Sequence, residues 1–201
     1  MRLLLLTAAL VLSCAMAPVA WAENADRDKP MNVEADALRY DDLRQVSVFT
    51  GHVVLTKGTI VIRGARLEVR QDPDGFQYGV VTADAGKRAF YRQKREGLDE
   101  WIEGESEVID YDGKADRVKF IRQAELRRLR GATPADEMAG SLITYENSTD
   151  VFTVDGGPAS PRPGGRVRAV LAPREAASAP ARPTTPPARL RPAPRLSGDA
   201  Q

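Results

Sequence analysis

Residues 47–69 read SVFTGHVVLTKGTIVIRGARLEV, and their alternation decides the fold. Phe49, Val53 and Leu55 share one face at the two-residue period of a strand, and Lys57-Gly58 then turns the chain. Ile60 and Ile62 return on that same face, with Thr59, Val61 and Arg63 opposite. Beyond Gly64, inward Leu67 and Val69 are flanked by outward Arg66, Glu68 and Arg70. The stretch is a β-hairpin with one apolar and one polar face.

Its parts belong to a pattern that occurs four times. Each copy has a small residue, two variable positions, an apolar-x-apolar step, six turn-like residues and a second two-step pair. The copies are Ala35, Leu38, Tyr40, Ser47, Phe49; Gly64, Leu67, Val69, Phe76, Tyr78; Ser106, Ile109, Tyr111, Val118, Phe120; and Gly140, Ile143, Tyr145, Phe152, Val154. Four similar hairpins mean an all-β chain that grows by stacking like units. Asp72-Pro73-Asp74-Gly75 and Asp112-Gly113-Lys114 supply the turn chemistry. Residues 124–130 and 134–138 are the only stretches that could hold helix, and both are too short to compete with the strand pattern.

Ahead of each small residue lies a further strand, marked by Met31 and Val33, Ile60 and Ile62, Ile102, and Met138. Its apolar positions have the opposite parity to those that follow. A bulge or sharp bend at Ala35, Gly64, Ser106 and Gly140 would return both sets to one face. The expected architecture is an open, twisted two-layer roll of stacked antiparallel hairpins, apolar inside and polar outside. The inward set is Val33, Leu38, Tyr40, Phe49, Val53, Leu55, Ile60, Ile62, Leu67, Val69, Tyr91, Ile109, Tyr111, Val118, Phe120, Ile143, Tyr145 and Phe152, with Phe76 and Tyr78. These residues either fill a solid core or line two sheets that hold lipid chains between them, and composition does not separate the two.

The ends frame this domain. Met1-Arg2, an uncharged run from Leu3 to Ala22 and the closing Ala20-Trp21-Ala22 are the parts of a secretory signal peptide over residues 1–22, cleaved before Glu23. The rival is an uncleaved anchor, since the run has about the ~20 residues of a spanning helix; Pro18 and the small residues favour cleavage. Cys14 is the only cysteine, so the folded domain, placed at 23–173, has neither disulfide nor thiolate metal site. Residues 174–201 are rich in Pro, Ala and Arg, lack the apolar content to fold, and read as a disordered tail. The formal net charge of +1, with both signs interleaved, argues against nucleic acid.

No catalytic constellation stands out, and no cofactor or metal is implied. His52 reads as a solvent-facing strand residue without a visible partner. Asp110, Asp112 and Asp116 superficially suggest a calcium loop but lack the long-spaced glutamate ligand, so they read as a turn. Glu103, Glu105 and Glu107 alternate along an outer face; Arg122, Arg127, Arg128 and Arg130 form a basic stretch that could meet phosphates or simply be solvated.

Lys29-Pro30-Met31-Asn32-Val33-Glu34-Ala35-Asp36, Phe49-Thr50-Gly51-His52-Val53 and Gly58-Thr59-Ile60 resemble the LptA (OstA-like) family of periplasmic lipopolysaccharide-transport proteins. Gly86-Lys87-Arg88-Ala89, Glu103-Gly104, Tyr111 and residues 165–173 extend the resemblance over nearly the whole domain. It implies a β-jellyroll that binds the lipid A part of lipopolysaccharide on the inward residues named above. It also implies head-to-tail assembly of the chain with itself into a bridge, with LptC as partner at the inner membrane and LptD at the outer. The two assembly edges would be Asn32, Val33, Glu34 and Ala35 at one end and Val167, Val170 and Leu171 at the other. The chain departs from the family in its tail, in an insertion around 129–134, and in Ser47, where an apolar residue is usual. Two alternatives stand beside this reading: a periplasmic β scaffold with a solid core and no lipid, and the membrane-anchored relative LptC.

Overall fold

A computed structural model of the chain describes residues 26–173. The expected signal peptide and tail lie outside these residues. The strands are β1 (Asn32–Glu34), β2 (Ala37–Asp41), β3 (Val46–Lys57), β4 (Ile60–Gln71), β5 (Gln77–Thr82), β6 (Ala89–Lys94), β7 (Glu100–Ser106), β8 (Val108–Asp112), β9 (Arg117–Arg130), β10 (Thr133–Glu146), β11 (Val151–Asp155) and β12 (Arg168–Leu171). All pairings are antiparallel, and one 3-10 turn at Pro163–Gly165 is the only helical element among the described residues. The segments 124–130 and 134–138 lie within β9 and β10.

Strands β3, β4, β9 and β10 are long and bend near their middles, so each half pairs in a different layer. Strands β4, β5, β8, β9, β7 and β6 pair in a closed ring, where the sequence leads us to expect an open roll throughout. Beyond it, β3 flanks β4 and carries β1 and β2; β10 flanks β9 and carries β11 and β12. Among the described residues β1 and β2 pair with β3 alone, and β11 and β12 with β10 alone.

The bends show how the parity switch is made. Thr50 pairs with Arg66 and Val53 with Gly64, so Gly51 and His52 on β3 oppose Ala65 alone. Likewise Arg122 and Gln123 on β9 oppose Ser141 alone. All four bulged residues have positive φ, from 44° at His52 to 81° at Gly51, which leaves the non-glycine members strained. The extra residue therefore sits in the strand facing the small residue, a correction to its expected place at Gly64 and Gly140. The small residues serve the close approach that a bend creates: a Cβ on Gly64 would stand 2.4 Å from Val81 Cγ1, and one on Gly140 2.6 Å from the Asp155 carbonyl.

Register lines the inward residues into rows that cross every strand of a layer. One runs Leu38–Phe49–Leu67–Val81–Ile109–Phe120–Ile143–Val154. The next runs Tyr40–Ser47–Val69–Gly79–Tyr111–Val118–Tyr145–Phe152. In the opposite layer a third runs Val33–Leu55–Ile62–Tyr91–Gly104–Leu126–Met138–Ala169. The layers meet where the Phe120 ring lies over Gly104, so close that a Cβ there would stand 2.2 Å from Phe120 Cε1. Tyr91 meets Phe120 edge-on at 5.5 Å between centroids.

One part of the expected inward set is wrong. Tyr40 and Ser47, Tyr111 and Val118, and Tyr145 and Phe152 pair seven residues apart, but Val69 pairs with Gly79, ten residues on. Asp72 closes a wider turn there, its Oδ1 accepting the amides of Asp74 (3.0 Å) and Phe76 (2.9 Å). The longer turn shifts register, so Gly79 and Val81 are buried and Tyr78 faces out under Arg70, its hydroxyl donating to Asp72. Phe76 lies in that turn between Arg27 and Lys114.

Candidate lipid-binding roll

The site named from sequence is the inner surface, and burial there is uneven. Val53, Leu55, Ile60, Ile62, Leu67, Tyr91, Ile109, Tyr111, Val118, Phe120, Ile143 and Tyr145 are all buried. Val33, Phe49, Val69 and Phe152 are half-buried and pack against that cluster. Leu38 and Tyr40 lie in the same inward rows but are 59% and 54% exposed, because among the described residues β2 has no strand on its outer side. Sequence reasoning missed Val81, Ala89, Ala124 and Leu126, all buried. Val81 was hidden by the longer turn; Ala124-x-Leu126 was a two-step signal inside a stretch that also suited a helix.

Tyrosines use their dual character inside. Burial pushes the Tyr111 phenol up to about 12, with Asp116 and Asp26 adding to the rise. Burial also raises Tyr145, whose hydroxyl donates to Asn147 (3.0 Å) and Asp150 (3.1 Å) while its ring stacks on Phe152 at 4.5 Å. Tyr91 is raised by burial as well and donates to Gln93.

The free margins of the two layers meet along a polar seam. Arg95, in the β6–β7 turn, reaches Asp150 in the β10–β11 turn with Nη2–Oδ2 2.9 Å and Nε–Oδ1 3.2 Å. Arg95 also pairs with Glu100, which accepts from Arg130 at 3.1 Å. Burial alone would raise the Glu100 carboxyl, but hydrogen bonds from Arg95 and Arg130 outweigh it and hold it low. Asp150 behaves alike: burial raises it, and its bond to Arg95 brings it below the ordinary range. Nearer β1, Asp26 caps the β3–β4 turn through Thr59 N (2.7 Å) and Thr59 Oγ1 (2.6 Å), while Arg27 donates to the Lys114 carbonyl at 3.4 Å. Lys57, buried at this margin, has its ammonium pKa lowered by desolvation.

The remaining candidates are structural. Arg122 pairs with Glu107 (2.6 Å), Arg127 with Glu105 (3.8 Å), Arg128 with Asp136, and Arg130 with Glu100, so the basic stretch is spent on carboxylates. Glu103 and Glu105 also pair with Arg92 and Arg88, which makes the acidic run one side of an ion-pair ladder on the outer face. His52 does have a partner: its Nδ1 lies 2.8 Å from Asp36 Oδ2 at the β1–β2 bend. Asp112 caps the β8–β9 turn through the Lys114 and Ala115 amides, and no three metal-ligating side chains converge among the described residues. No helix among the described residues is long and apolar enough to cross a membrane.

Known proteins match this chain over most of the described residues. Residues 32–151 match the family described as LptA/(LptD N-terminal domain) LPS transport protein. The lipopolysaccharide export system protein LptH of Pseudomonas aeruginosa is 32% identical over 178 residues, covering 86% of this chain and 93% of that one. The lipopolysaccharide export system protein LptA of Escherichia coli is 32% identical over 127 residues, 63% of this chain and 64% of that protein. The crystal structure of Pseudomonas aeruginosa LptH, described as the LptA-homologous periplasmic component of the lipopolysaccharide transport device, superposes with a TM-score of 0.64 at 26% identity, covering 74% of this chain and 99% of that one. A match across more than half the chain, with the same fold and a relative at this identity over nearly its full length, places the chain in the LptA/LptD N-terminal-domain family of lipopolysaccharide-transport proteins.

Proposed function

We propose that this protein is a periplasmic lipopolysaccharide carrier that shields lipid A acyl chains between the layers of a β-jellyroll open at its two ends. The observation that carries the reading is the continuity of the apolar rows. They begin at exposed Leu38 and Tyr40 on β2, cross the buried centre, and reach half-buried Val154 and Phe152 on β11. A lining whose burial falls off toward β2 at one end and β11 at the other is suited to continue in a neighbouring molecule. Exposing a dozen methylenes to water costs roughly 10 kcal/mol at ~0.8 kcal/mol each, so a carrier must cover the chains along its whole path. Chains stacked head to tail through β1 and β12 would do this, since unpaired edges accept like edges and a heterologous contact gives an open filament. LptC at the inner membrane and LptD at the outer membrane are the partners at the filament's ends.

Photo-reactive residues at Tyr111 and Phe120, with outward Lys119 as control, test the reading. Lipopolysaccharide adducts at the first two and none at Lys119 are expected; the reverse would show that lipid does not run inside. A second reading draws on the tight interior, where Tyr91, Phe120 and Tyr145 are at most 1% exposed. A scaffold with a solid core would look the same, and would give no adduct at any position. Sequencing the mature N-terminus separates a cleaved carrier, starting at Glu23, from an anchored LptC-like protein.

A further inference from the structure

Ser47 breaks the apolar pattern at an inward position, beside two glutamines that also point inward. Ser47 pairs with Tyr40 and Val69 in the second inner row; Gln71 and Gln77 pair with each other one step further along the same face. Together with Met31, Val33 and Phe49 they line a cavity of about 180 Å³ at the β1–β2 end of the roll. A water's share of liquid volume is ~30 Å³, so the space takes a group larger than one water.

Two features set this cavity apart. Among the described residues no charged side chain lines it, whereas the seam cavity and the cavity on the outer face are lined by ion-pairing Arg, Lys, Asp and Glu. Its polar groups also lack partners among the described residues, with Ser47 and Gln77 half-buried and Gln71 exposed at the mouth. The side chains of Ser47, Gln71 and Gln77 make no hydrogen bond among the described residues. Gln45, by contrast, donates to the Asp42 carbonyl at 2.7 Å. At the far side of the roll the inward polar groups are tied to each other, Arg128 to Asp136 and Arg130 to Glu100. Two primary amides and a hydroxyl, offering donors and acceptors without net charge, match sugar hydroxyls and amide linkages better than phosphates. The apolar side of the same cavity leads directly to Phe49 and Leu67.

We infer that Ser47, Gln71 and Gln77 form a subsite for the uncharged polar part of a glycolipid, its sugar hydroxyls and acyl-amide groups, placed where acyl chains enter the roll. The inference rests on the lipid-carrier reading and adds to it which end receives the headgroup and by what chemistry.

The test compares two probes of equal chain length, dodecyl maltoside and dodecylphosphocholine, titrated below their micelle concentrations by calorimetry at protein concentrations where scattering shows the monomer. The variant is the full mature chain carrying Ser47→Ala, Gln71→Met and Gln77→Met, near-isosteric changes that remove unpartnered polar groups and should not lower the thermal midpoint. Loss of two or three hydrogen bonds should weaken dodecyl maltoside binding about tenfold. Dodecylphosphocholine binding should change less than about twofold, since only the chain contacts remain in common. Equal losses for both probes would mean that the residues shape the chain path and not a headgroup subsite; no loss for either would also overturn the inference. A wild type that binds neither probe would refute the subsite, and lipopolysaccharide adducts at Phe120 would then show that the carrier reading stands without it.

Discussion

Leu67 and Leu38 occupy the same row, on the same face, one strand apart from the shared neighbour Phe49. Leu67 is fully buried and Leu38 is 59% exposed. Nothing local distinguishes them: each opens an apolar-x-apolar step three residues after a small residue. What differs is the company. Leu67 has β5 beyond it and the second layer above it, while β2 is paired on one side only among the described residues. An identical pattern thus produces core at the centre and an uncovered apolar surface at the end, and only the latter has a free energy still to be gained from a ligand or a second molecule.

The largest effects should fall at the centre. Phe120→Ala should cost about 3–5 kcal/mol and Leu67→Ala about 2–5 kcal/mol in urea unfolding, against less than about 0.5 kcal/mol for Leu38→Ala. If Leu38→Ala destabilised as much as Leu67→Ala, β2 would be covered in the isolated chain and the contrast would collapse.

Gly104→Ala probes the same centre from the opposite layer. The added methyl meets the Phe120 ring, and overpacking of this kind costs about 1–3 kcal/mol. A neutral outcome would mean that the layers separate freely there, which would favour an interior that opens for lipid.

The seam between the layers should respond to acid. Asp150 and Glu100 are held below the ordinary carboxylate range in the folded state. Their contribution is therefore complete above that range and is lost as pH falls below about 4 toward the depressed values. The thermal midpoint should fall in that window, and Arg95→Ala should flatten the fall. A slope unchanged by Arg95→Ala would place the acid sensitivity elsewhere.

The ends should respond in assembly and little in stability. Wild type should give a concentration-dependent ladder of sizes by light scattering, and Val170→Pro on β12 should shorten it while lipopolysaccharide binding persists. A wild type that stops at a closed dimer would contradict the filament. Truncation after Pro173 should leave the midpoint nearly unchanged, because residues 174–201 have no apolar periodicity; a marked drop would show that the tail packs against the roll.

The all-β class, the hairpin repeats and most of the inner face are legible in the amino-acid order alone, because strand period and turn residues are local properties. Leu55, Ile62, Leu67, Ile109, Phe120 and Tyr145, all read as inward, are buried. The sequence also carries the family, through short motifs kept in order over the domain. Folding settled what depends on partners distant in the chain. It placed the bulges at Gly51-His52 and Arg122-Gln123, opposite the small residues, since a bulge is defined by two strands at once. It turned Tyr78 outward, because Asp72's side chain set a longer turn than spacing suggested. It spent Arg122, Arg127, Arg128 and Arg130 on carboxylates from other segments, and gave His52 its Asp36. It left Leu38 bare where Leu67 is buried, because burial depends on whether another strand lies alongside, and period 2 does not encode that.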